Sequence, residues 1–551
     1  MAASGESSPV VSGLPTLVDV LDRSAEASGA VEFLACGDQR RTLAELGDRS
    51  RRLAGGLLEL GLQAGDRVAV LAENSAEYVE LLFACQRLNL ILVPLNSYLR
   101  GEFLSQQLED AGPAAIVVDS LGHDSLRDVT DHWTGHVVLM GASAGARGVV
   151  LFDELLTHPP FTGPTRAVRA DTAAIMYTSG TTGMPKGCMV PHGQFVHAAT
   201  PYLEEAGYIV RGDLVLTPSP MFHIGFLIGN LAPALLVGAR IHHVPRFSAS
   251  SFLRTAREIG ATKIYSLGPI GMLLLAQPPS AADAAPHGIR LAVLPGLSAD
   301  GQSEFEARFG IPVNAESYGQ TECSVICVAG EGDERRRGSV GRPIDGVDLC
   351  VVGDDDVPLA AGRVGEIVVR PRRPFAMFTG YWRNPDATMA TFRNLWHHTG
   401  DLGRQDPDGT VWLVDRKKDS MRRRGENVSS IQVESAILKH PAVRQVSVHA
   451  VPGDFADDDI KACIVVGQDE QPPMDDLFHF FKRTLPYFAI PRYVEFMDEL
   501  PVNAVGRVRK EDLRRRGVTA STWDLEALGL TVSREERRGG VGAPSAGSGI
   551  G

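Results

Sequence analysis

The sequence predicts an α/β protein with a large N-terminal domain of mostly parallel layers and a small α+β C-terminal domain. Three observations lead to this prediction. The chain has 551 residues, more than a single hydrophobic core normally serves. Helix-like and strand-like patterns alternate from Thr16 onwards. A charged cluster, 415-DRKKDSMRRRGEN-427, interrupts this alternation, and a new α/β pattern follows it.

The first elements follow from the spacing of apolar residues. Segments 42–62 and 75–88 have the periodicity of helices. The short apolar runs at 67–72 and 114–120 predict buried strands. Because strands and helices alternate, we expect mostly parallel sheets. The leucines that recur at helical spacing in the first segment are Leu43, Leu46, Leu53, Leu57 and Leu60.

The C-terminal elements repeat this pattern over a shorter length. Helices are predicted at 431–440 and 474–485, and strands at 443–451 and 460–466. We place the domain boundary at about Asp415, where the turn sequence DPDG and the charged cluster end the first pattern.

This boundary divides the chain into four parts. Residues 15–415 form the N-terminal domain, and 416–518 form a C-terminal domain of ordinary size. We expect disorder in the lead at 1–14 and in the tail at 519–551, which ends in glycine, serine and alanine.

Composition excludes several classes of protein. The formal net charge of −13 argues against nucleic-acid binding, which requires a basic face. The seven cysteines are scattered, so neither a disulfide framework nor a zinc site is predicted. No apolar run is long enough to span a membrane, and the first residues lack a signal-peptide pattern. We therefore expect a cytoplasmic protein, and the sequence leaves its oligomeric state open.

The segment 177-YTSGTTGMPKG-187 follows a strand-like run at 173–177 and predicts a phosphate-binding loop. Its glycines allow several backbone N–H groups to converge on one anion, and its hydroxyls add donors. Lys186 adds a point charge suited to phosphate. The segment does not satisfy the Walker pattern, and a flexible linker rarely follows a buried strand and ends in Pro-Lys-Gly.

This segment resembles the phosphate-binding signature of the adenylate-forming (AMP-binding) superfamily, which includes acyl-CoA synthetases, firefly luciferases and adenylation domains of peptide synthetases. Further motifs of that superfamily follow in the same order, and the resemblance extends over residues 15–518. Within the segment 415–430, the sequence RRRGENVSS most resembles that of carnitine/crotonobetaine–CoA ligase-like members. The further motifs are 220-PMFHIGF-226, 317-SYGQTE-322, 398-HTGDL-402 and the segment 415–430.

The resemblance implies an acid–CoA ligase that depends on ATP and Mg²⁺. A carboxylate attacks the α-phosphorus of ATP, which gives an acyl-adenylate and pyrophosphate, and the thiol of CoA then displaces AMP. The protein supplies positioning and electrostatic stabilisation to both steps. The resemblance also implies a β-barrel-like subdomain in the large domain and a mobile C-terminal domain. The implied partners are a small carboxylic acid, ATP and CoA.

The resemblance also implies the residues of the nucleotide site. Lys186 and the loop bind the β- and γ-phosphates, Thr321 contacts the α-phosphate, and Glu322 holds Mg²⁺. Asp401 and Arg416 bind the ribose. The implied loop residues are Thr178, Ser179, Gly180, Thr181, Thr182 and Gly183. Those of the second motif are Glu316, Ser317 and Tyr318, which flank the adenine, and the nucleotide-binding residues Gly319 and Gln320.

The remaining implied roles concern the acid, the hinge and CoA. His223 lines the route to the acyl carboxylate, whereas a lone histidine there would be a core residue. Lys418 is the hinge, at which the small domain swings between the two half-reactions. Arg424, Gly425 and Glu426 approach CoA, although an arginine run of this kind is commonly a solvated surface.

Two positions depart from the pattern of the superfamily. Arg507, in 501-PVNAVGRVRK-510, stands where the superfamily has a catalytic lysine, and a planar guanidinium does not replace a compact ammonium. Lys510 is three residues further on and is expected to face elsewhere. The run 293-VLPGLSAD-300 replaces a Gly-Gly-Ala-Pro-like run, so Leu294 and Pro295 are expected to alter the floor of the substrate pocket.

Two alternatives to the acid–CoA ligase stay open at this point. One is an adenylate-forming enzyme with another oxyanion or acceptor, such as an amide or ester ligase, or a nitrite-dependent diazotase of secondary metabolism. The other is a non-catalytic nucleotide-binding relative. The retention of Lys186, Glu322, Asp401 and Arg416 argues against the second alternative.

Overall fold

The chain divides into two compact units. The first comprises Met1–Arg363, Ile367–Thr399 and Gln405–Trp412, and the second comprises Val364–Glu366, Gly400–Arg404 and Leu413–Gly551. The main division at Leu413 is close to the predicted boundary at Asp415. The structure, a computed structural model, describes residues 16–99, 101–127, 135–141, 149–178, 185–330, 334–417, 421–423, 426–428, 430–453, 458–467, 471–485, 487–502 and 508–532.

The strands are numbered in chain order. They are β1 Glu32–Cys36, β2 Gln39–Thr42, β3 Arg67–Leu71, β4 Ile91–Pro94, β5 Ala115–Val118, β6 His136–Leu139, β7 Val150–Leu151, β8 Thr172–Thr178, β9 Lys186–Pro191, β10 Leu214–Thr217, β11 Arg240–His243, β12 Lys263–Tyr265, β13 Leu291–Val293, β14 Val313–Asn314, β15 Ser317–Gln320, β16 Ser324–Val328, β17 Arg342–Pro343, β18 Val347–Val352, β19 Gly365–Pro371, β20 Phe392–Arg393, β21 Trp396–Gln405, β22 Val411–Arg416, β23 Met421–Arg423, β24 Glu426–Val428, β25 Val443–Pro452, β26 Asp458–Val466, β27 Tyr493–Phe496 and β28 Thr522–Asp524.

The helices are numbered in the same way. They are α1 Leu17–Ser28, α2 Leu43–Glu59, α3 Ala76–Leu88, α4 Gly101–Ala111, α5 Ser120–Arg127, α6 Phe152–Leu155, α7 His192–Thr200, α8 Ile224–Phe226, α9 Ala232–Val237, α10 Phe252–Glu258, α11 Gly268–Leu275, α12 Ala299–Phe309, α13 Pro385–Thr391, α14 Ser430–Ile437, α15 Met474–Thr484 and α16 Lys510–Arg516, with π-helical turns at Pro201–Glu205 and Leu227–Leu231.

Two seven-stranded sheets form the framework of the first unit. Their strand orders are β14-β13-β12-β10-β11-β1-β2 and β7-β6-β5-β3-β4-β8-β9. Each sheet is parallel except at one edge, where the last pair, β1–β2 or β8–β9, is antiparallel. The predicted α/β class with mostly parallel sheets is therefore confirmed.

The predicted elements of the first unit form for the expected reasons. Strands β3 and β5 are almost wholly buried, as helix-covered parallel strands are, and this explains their unbroken apolar runs. Helix α2 begins with a capping box, in which Thr42 and Glu45 satisfy each other's backbone N–H groups. Leu46, Leu53 and Leu57 of this helix are fully buried.

Further antiparallel pairs among the described strands lie in smaller sheets. One is the three-stranded sheet β15-β16-β17, and another is a five-stranded sheet in which β18-β19-β21-β20 is extended by β22 pairing with β21. A β-barrel-like subdomain formed by such strands stays a prediction.

The second unit has its own sheet and core. Its sheet order is β25-β26-β27-β28, with the central pair β26–β27 parallel and the outer pairs antiparallel. Its core contains Val448, Ile464, Leu477 and Phe481, which come from two of these strands and from helix α15. This mixed arrangement is the predicted α+β domain.

The predicted start of the disordered tail at residue 519 is wrong. Strand β28 pairs with β27, with Val494 opposite Trp523, and Leu525 is only 1% exposed in the core of the second unit. The ordered chain therefore continues to residue 532. The rest of the predicted tail and all of the predicted lead lie outside the described residues.

No helix among the described residues combines the length and apolarity that crossing a membrane requires.

Candidate active site

The predicted phosphate-binding loop connects the antiparallel edge strands β8 and β9. Thr178, the last residue of β8, is the register partner of Lys186, the first residue of β9. The Thr178 hydroxyl donates to the Lys186 carbonyl at 3.5 Å. The structure thus brings the two ends of the loop together. The residues between them, Ser179, Gly180, Thr181, Thr182 and Gly183, lie outside the described residues.

A tyrosine links Lys186 to the predicted metal ligand Glu322. The Lys186 Nζ atom is 5.2 Å from the centroid of the Tyr381 ring, which is a cation–π distance. The Tyr381 hydroxyl donates to Glu322 Oε1 at 2.8 Å. Burial, followed by the charge of Glu322, raises the pKa of the Tyr381 hydroxyl, which therefore stays protonated. The phosphate motif and the Tyr-Gly-Gln-Thr-Glu motif are thus adjacent.

The turn that carries Glu322 is fixed from two sides. Gln194 on α7 is fully buried and donates through Nε2 to the Thr321 carbonyl at 2.9 Å and to Ser324 Oγ at 2.7 Å. On the other side, the Phe378 N–H donates to the Glu322 carbonyl at 2.7 Å. Ser324 has a φ of +54°, a conformation that residues with a side chain rarely adopt without such support.

The chemistry of Glu322 fits Mg²⁺. One carboxylate oxygen accepts from Tyr381, and no described group bonds to the other, Oε2. Among the described residues there is also no group of three protein side chains that would enclose a metal. One carboxylate supplemented by phosphate oxygens and water is the donor set that Mg²⁺ commonly takes in nucleotide sites.

The second nucleotide motif forms strand β15 and the turn after it. Ser317, Gln320 and Thr321 are partly exposed and Gly319 is exposed, whereas Tyr318 is buried. Gln320 donates through Nε2 to the Thr399 carbonyl at 2.8 Å, which brings this motif beside Thr399 within the first unit.

The predicted adenine contact of Glu316 is not supported. The Glu316 side chain is fully buried, and its Oε2 atom is 3.6 Å from Arg335 Nη2. A carboxylate that is inaccessible and paired with a cation serves the packing of the unit rather than a nucleotide.

His223 is the N-cap of the short helix α8. Its Nδ1 atom accepts a hydrogen bond from the Gly225 N–H at 3.1 Å, so the proton of the neutral ring is on Nε2. Burial lowers the pKa of His223, which keeps the imidazole neutral at pH 7. The ring is partly exposed. His223 can therefore act as a neutral hydrogen-bond donor rather than as a cation.

Asp401 and Arg416, the predicted ribose pair, are in contact within the second unit. Arg416 Nε is 3.3 Å from Asp401 Oδ1. Glu366 aligns their two strands, because it accepts from the Gly400 N–H at 3.2 Å through Oε1 and from Lys417 Nζ at 3.2 Å through Oε2.

Of the arginine run at 422–424, the structure describes one side chain, that of Arg423. Arg423 is 4% exposed, donates to the Ile490 carbonyl, and is 3.2 Å from Asp459. It is therefore a buried structural residue and not part of a solvated surface. Lys418, Arg424, Gly425 and Arg507 lie outside the described residues, and only the backbone of Glu426, in β24, is described.

Two further expectations concern the departures from the superfamily pattern. Lys510 begins α16 and binds Glu434 at 2.8 Å and the Ser430 hydroxyl at 2.6 Å, and its orientation relative to Arg507 stays a prediction. The expectation for Leu294 is wrong, because its side chain is fully buried in a core cluster and cannot line a pocket floor. Pro295 is partly exposed.

Sequence reasoning missed Tyr381, Gln194 and Glu366. Each acts through a contact with a residue far away in the chain. The segment 379-TGYW-382 carries a turn-like pattern, but nothing in the sequence connects it with Glu322. Only the pairing of the segment with β9, through the bridge Cys188–Tyr381, reveals the connection.

Comparisons with known proteins identify the family of the chain. The family model described as AMP-binding enzyme matches residues 21–382, and the model of the AMP-binding enzyme C-terminal domain matches 432–507. Crotonobetaine/carnitine–CoA ligase of Salmonella arizonae is 31% identical over 507 residues, which cover 89% of this chain and 96% of the relative.

Solved structures resemble most of the chain. The anthranilate CoA ligase AuaEII, in complex with anthranoyl-AMP, is 25% identical with a TM-score of 0.82, covering 92% of this chain and 98% of its own. ATP-bound MatB from Rhodopseudomonas palustris is 27% identical with a TM-score of 0.81, covering 91% and 98%. The matched lengths and the conjunction of Lys186 with Glu322 lead to one conclusion: the chain belongs to the AMP-binding enzyme family.

Proposed function

We propose that this enzyme is an ATP- and Mg²⁺-dependent acid–CoA ligase that forms an acyl-adenylate and then a thioester. The observation that carries the proposal is the contact of Tyr381 with both Lys186 and Glu322, at the end of the phosphate loop. A cation for phosphate and a carboxylate for a metal are the two groups that phosphoryl chemistry requires side by side.

The residues of the first unit have separate roles in adenylation. Lys186 and the loop from Thr178 to Gly183 bind the β- and γ-phosphates. Glu322 would hold Mg²⁺, which would supply positive charge to the phosphates. Thr321 contacts the α-phosphate, and Ser317, Tyr318, Gly319 and Gln320 form the adenine side of the site.

His223 orients the acid. Its Nε2–H group donates to one oxygen of the substrate carboxylate and leaves the other oxygen as the nucleophile. A neutral donor is suited to this task, because it holds the carboxylate without cancelling the charge that makes it nucleophilic.

The second unit supplies the remaining groups. Asp401 accepts hydrogen bonds from the ribose hydroxyls, with Arg416 orienting the carboxylate. Arg507 takes the place of the lysine that contacts the carboxylate and the α-phosphate, and Lys418 is the hinge. Arg424, Gly425 and Glu426 approach CoA in the second step.

The test is release of pyrophosphate from ATP with a panel of acids, with and without CoA. The panel includes crotonobetaine, carnitine and anthranilate, because relatives are named for these acids. We expect release with at least one acid, and AMP plus a thioester when CoA is added. Lys186→Met should lower the rate about 100-fold. Lys439→Met, at an exposed lysine after α14, is the matched control and should leave the rate unchanged.

A parallel assay contains nitrite and an amine in place of the acid. Release that requires nitrite would replace this proposal with the diazotase alternative. Tight binding of ATP without release under any condition would identify a non-catalytic relative.

A further inference from the structure

Tyr381 belongs to a short segment, 378–382, that joins strand β9 to the turn carrying Glu322. The Trp382 N–H donates to the Gly187 carbonyl at 2.7 Å, and the Met189 N–H donates to the Gly380 carbonyl at 3.0 Å. At the other end, the Phe378 N–H donates to the Glu322 carbonyl. The backbone of this segment is therefore bound to both nucleotide motifs.

The side chain of Tyr381 has little freedom. It is 9% exposed, and its ring lies 5.2 Å from that of Phe378 in an edge-to-face arrangement. Its backbone N–H donates to the Thr388 hydroxyl at 2.9 Å. A buried tyrosine with a fixed backbone has only two side-chain torsions to order, so its ring and hydroxyl are well-defined partners for charged groups.

The two charged groups make different contacts with Tyr381. The ammonium of Lys186 lies over the ring, and Glu322 Oε1 accepts from the hydroxyl. Among the described ion pairs there is none between Lys186 and Glu322. Direct pairing would neutralise both charges, because an ammonium and a carboxylate at contact distance satisfy each other before a ligand arrives.

We propose that Tyr381 is a positioning residue that holds Lys186 and Glu322 apart, so that the ammonium stays available to phosphate and Oε2 of the carboxylate stays available to Mg²⁺. This inference rests on the function proposed above, because it assigns Tyr381 a part in the same site. The ring and the hydroxyl have separable tasks, the ring for the cation and the hydroxyl for the metal ligand.

Tyr381→Phe separates the two tasks, because it removes only the hydroxyl. At saturating ATP, the Mg²⁺ concentration at half-maximal stabilisation should rise about tenfold, as is usual when a partner of a metal ligand is removed. Stabilisation is measured as the increase in melting temperature, which reports binding without any acid or turnover. The KM for ATP at saturating Mg²⁺ should change less than about twofold.

Tyr381→Leu removes both the ring and the hydroxyl. We expect the same loss of Mg²⁺ response and, in addition, an increase of about tenfold in the KM for ATP, since Lys186 is then free to pair with Glu322. The matched control is Tyr78→Phe, which removes a buried hydroxyl that has no hydrogen-bond partner among the described residues. It should leave both quantities unchanged.

The outcomes separate the two proposals. An unchanged Mg²⁺ midpoint in Tyr381→Phe, with its melting temperature without nucleotide equal to that of the parent, overturns the role of Tyr381. A parent enzyme that binds Mg²⁺ and ATP but activates no acid overturns the proposed reaction instead. If Tyr381→Leu does not fold, Tyr381→Phe still decides the question.

Discussion

By the resemblance of its sequence, Arg507 stands where the superfamily has a lysine, and we expect that the nearby Lys510 does not compensate for this difference. Lys510 is occupied by Glu434 and Ser430, so it is not a substitute for the missing ammonium. A guanidinium in the place of an ammonium is broader and binds two oxygens of one group rather than bridging two groups. The difference between arginine and lysine at this position should be measured in adenylation, the first half-reaction.

We predict that Arg507→Lys speeds adenylation. The compact ammonium can contact the acid and the α-phosphate at once, and pyrophosphate release with the preferred acid should rise about tenfold. Single-turnover release of pyrophosphate is the measurement. Arg509→Lys, at a neighbouring arginine that is exposed, is the matched control and should have no effect. Equal rates for Arg507→Lys and the parent would remove Arg507 from the reaction.

The limits of sequence reasoning are clearest at single residues. The resemblance implies an adenine contact for Glu316 and a place in the pocket floor for Leu294, yet both side chains are buried in the protein. Successive side chains of extended backbone alternate between two faces, so a position next to a functional residue commonly faces away from it. A motif therefore predicts which segment forms the site more reliably than which side chains enter it.

At the scale of elements, the C-terminal strand β28 is the least expected feature. It is preceded by a network in which Glu495 accepts from Lys461, Arg516 and Ser521, so that the chain after α16 is held to the sheet. Composition concealed this strand, because the charged and glycine-rich run from residue 533 onwards dominates the segment, although Trp523, Leu525, Leu528, Leu530 and Val532 precede it. Burial by partners far away in the chain, rather than local pattern, makes this segment ordered.

The burial of Leu525 gives a direct test of this segment. Leu525→Ala should lower the free energy of unfolding of the second unit by about 3 kcal/mol, as is usual for a leucine in a packed core. Leu528→Ala, three residues later and 49% exposed, is the matched control and should cost less than about 0.5 kcal/mol. Denaturant unfolding measures both. Equal effects of the two substitutions would mean that the segment is not packed in solution.

At the scale of the whole molecule, the alternation of elements was sufficient to predict the layered α/β class. Buried parallel strands must be apolar throughout, and the helices that cover them must be amphipathic. The apolar pattern of each segment therefore indicates the fold class. The order of strands within the two large sheets is not expressed locally, since it depends on which crossovers pack best. The division into two units was visible because charge interrupts the pattern at one place.

Acidification should destabilise the whole first unit. Burial lowers the pKa of both His192 and His243 from 6.5 to about 4. A group with a lowered folded-state pKa binds its proton more readily when unfolded, so stability is full above pH 6.5 and falls as the pH drops towards 4. Between pH 7.5 and 5 each imidazole should remove about 2 kcal/mol from the free energy of unfolding.

The variant His192→Leu tests whether protonation of this buried histidine lowers the free energy of unfolding at acidic pH. Both ring nitrogens of His192 are buried and have no hydrogen-bond partner among the described residues. His192→Leu should therefore remove the part of the pH dependence of unfolding that His192 causes. His136→Leu, at an exposed histidine of β6, should leave the pH dependence unchanged. Unfolding curves at the two pH values provide the measurement, and an equal loss in His192→Leu and the parent would refute the assignment.

The hairpin formed by β8 and β9 limits how the phosphate-binding loop that connects them can vary between related proteins. Thr178 and Lys186 are fixed opposite each other, and the side chains of β9 alternate between the two faces of the sheet. Deleting or inserting one residue at the start of β9 would turn Lys186 away from Tyr381 and replace it with a neighbour. A substitution within β9 alters single contacts, whereas a change of length by one reverses the whole strand. Across the family, the spacing of this segment should therefore vary less than its sequence.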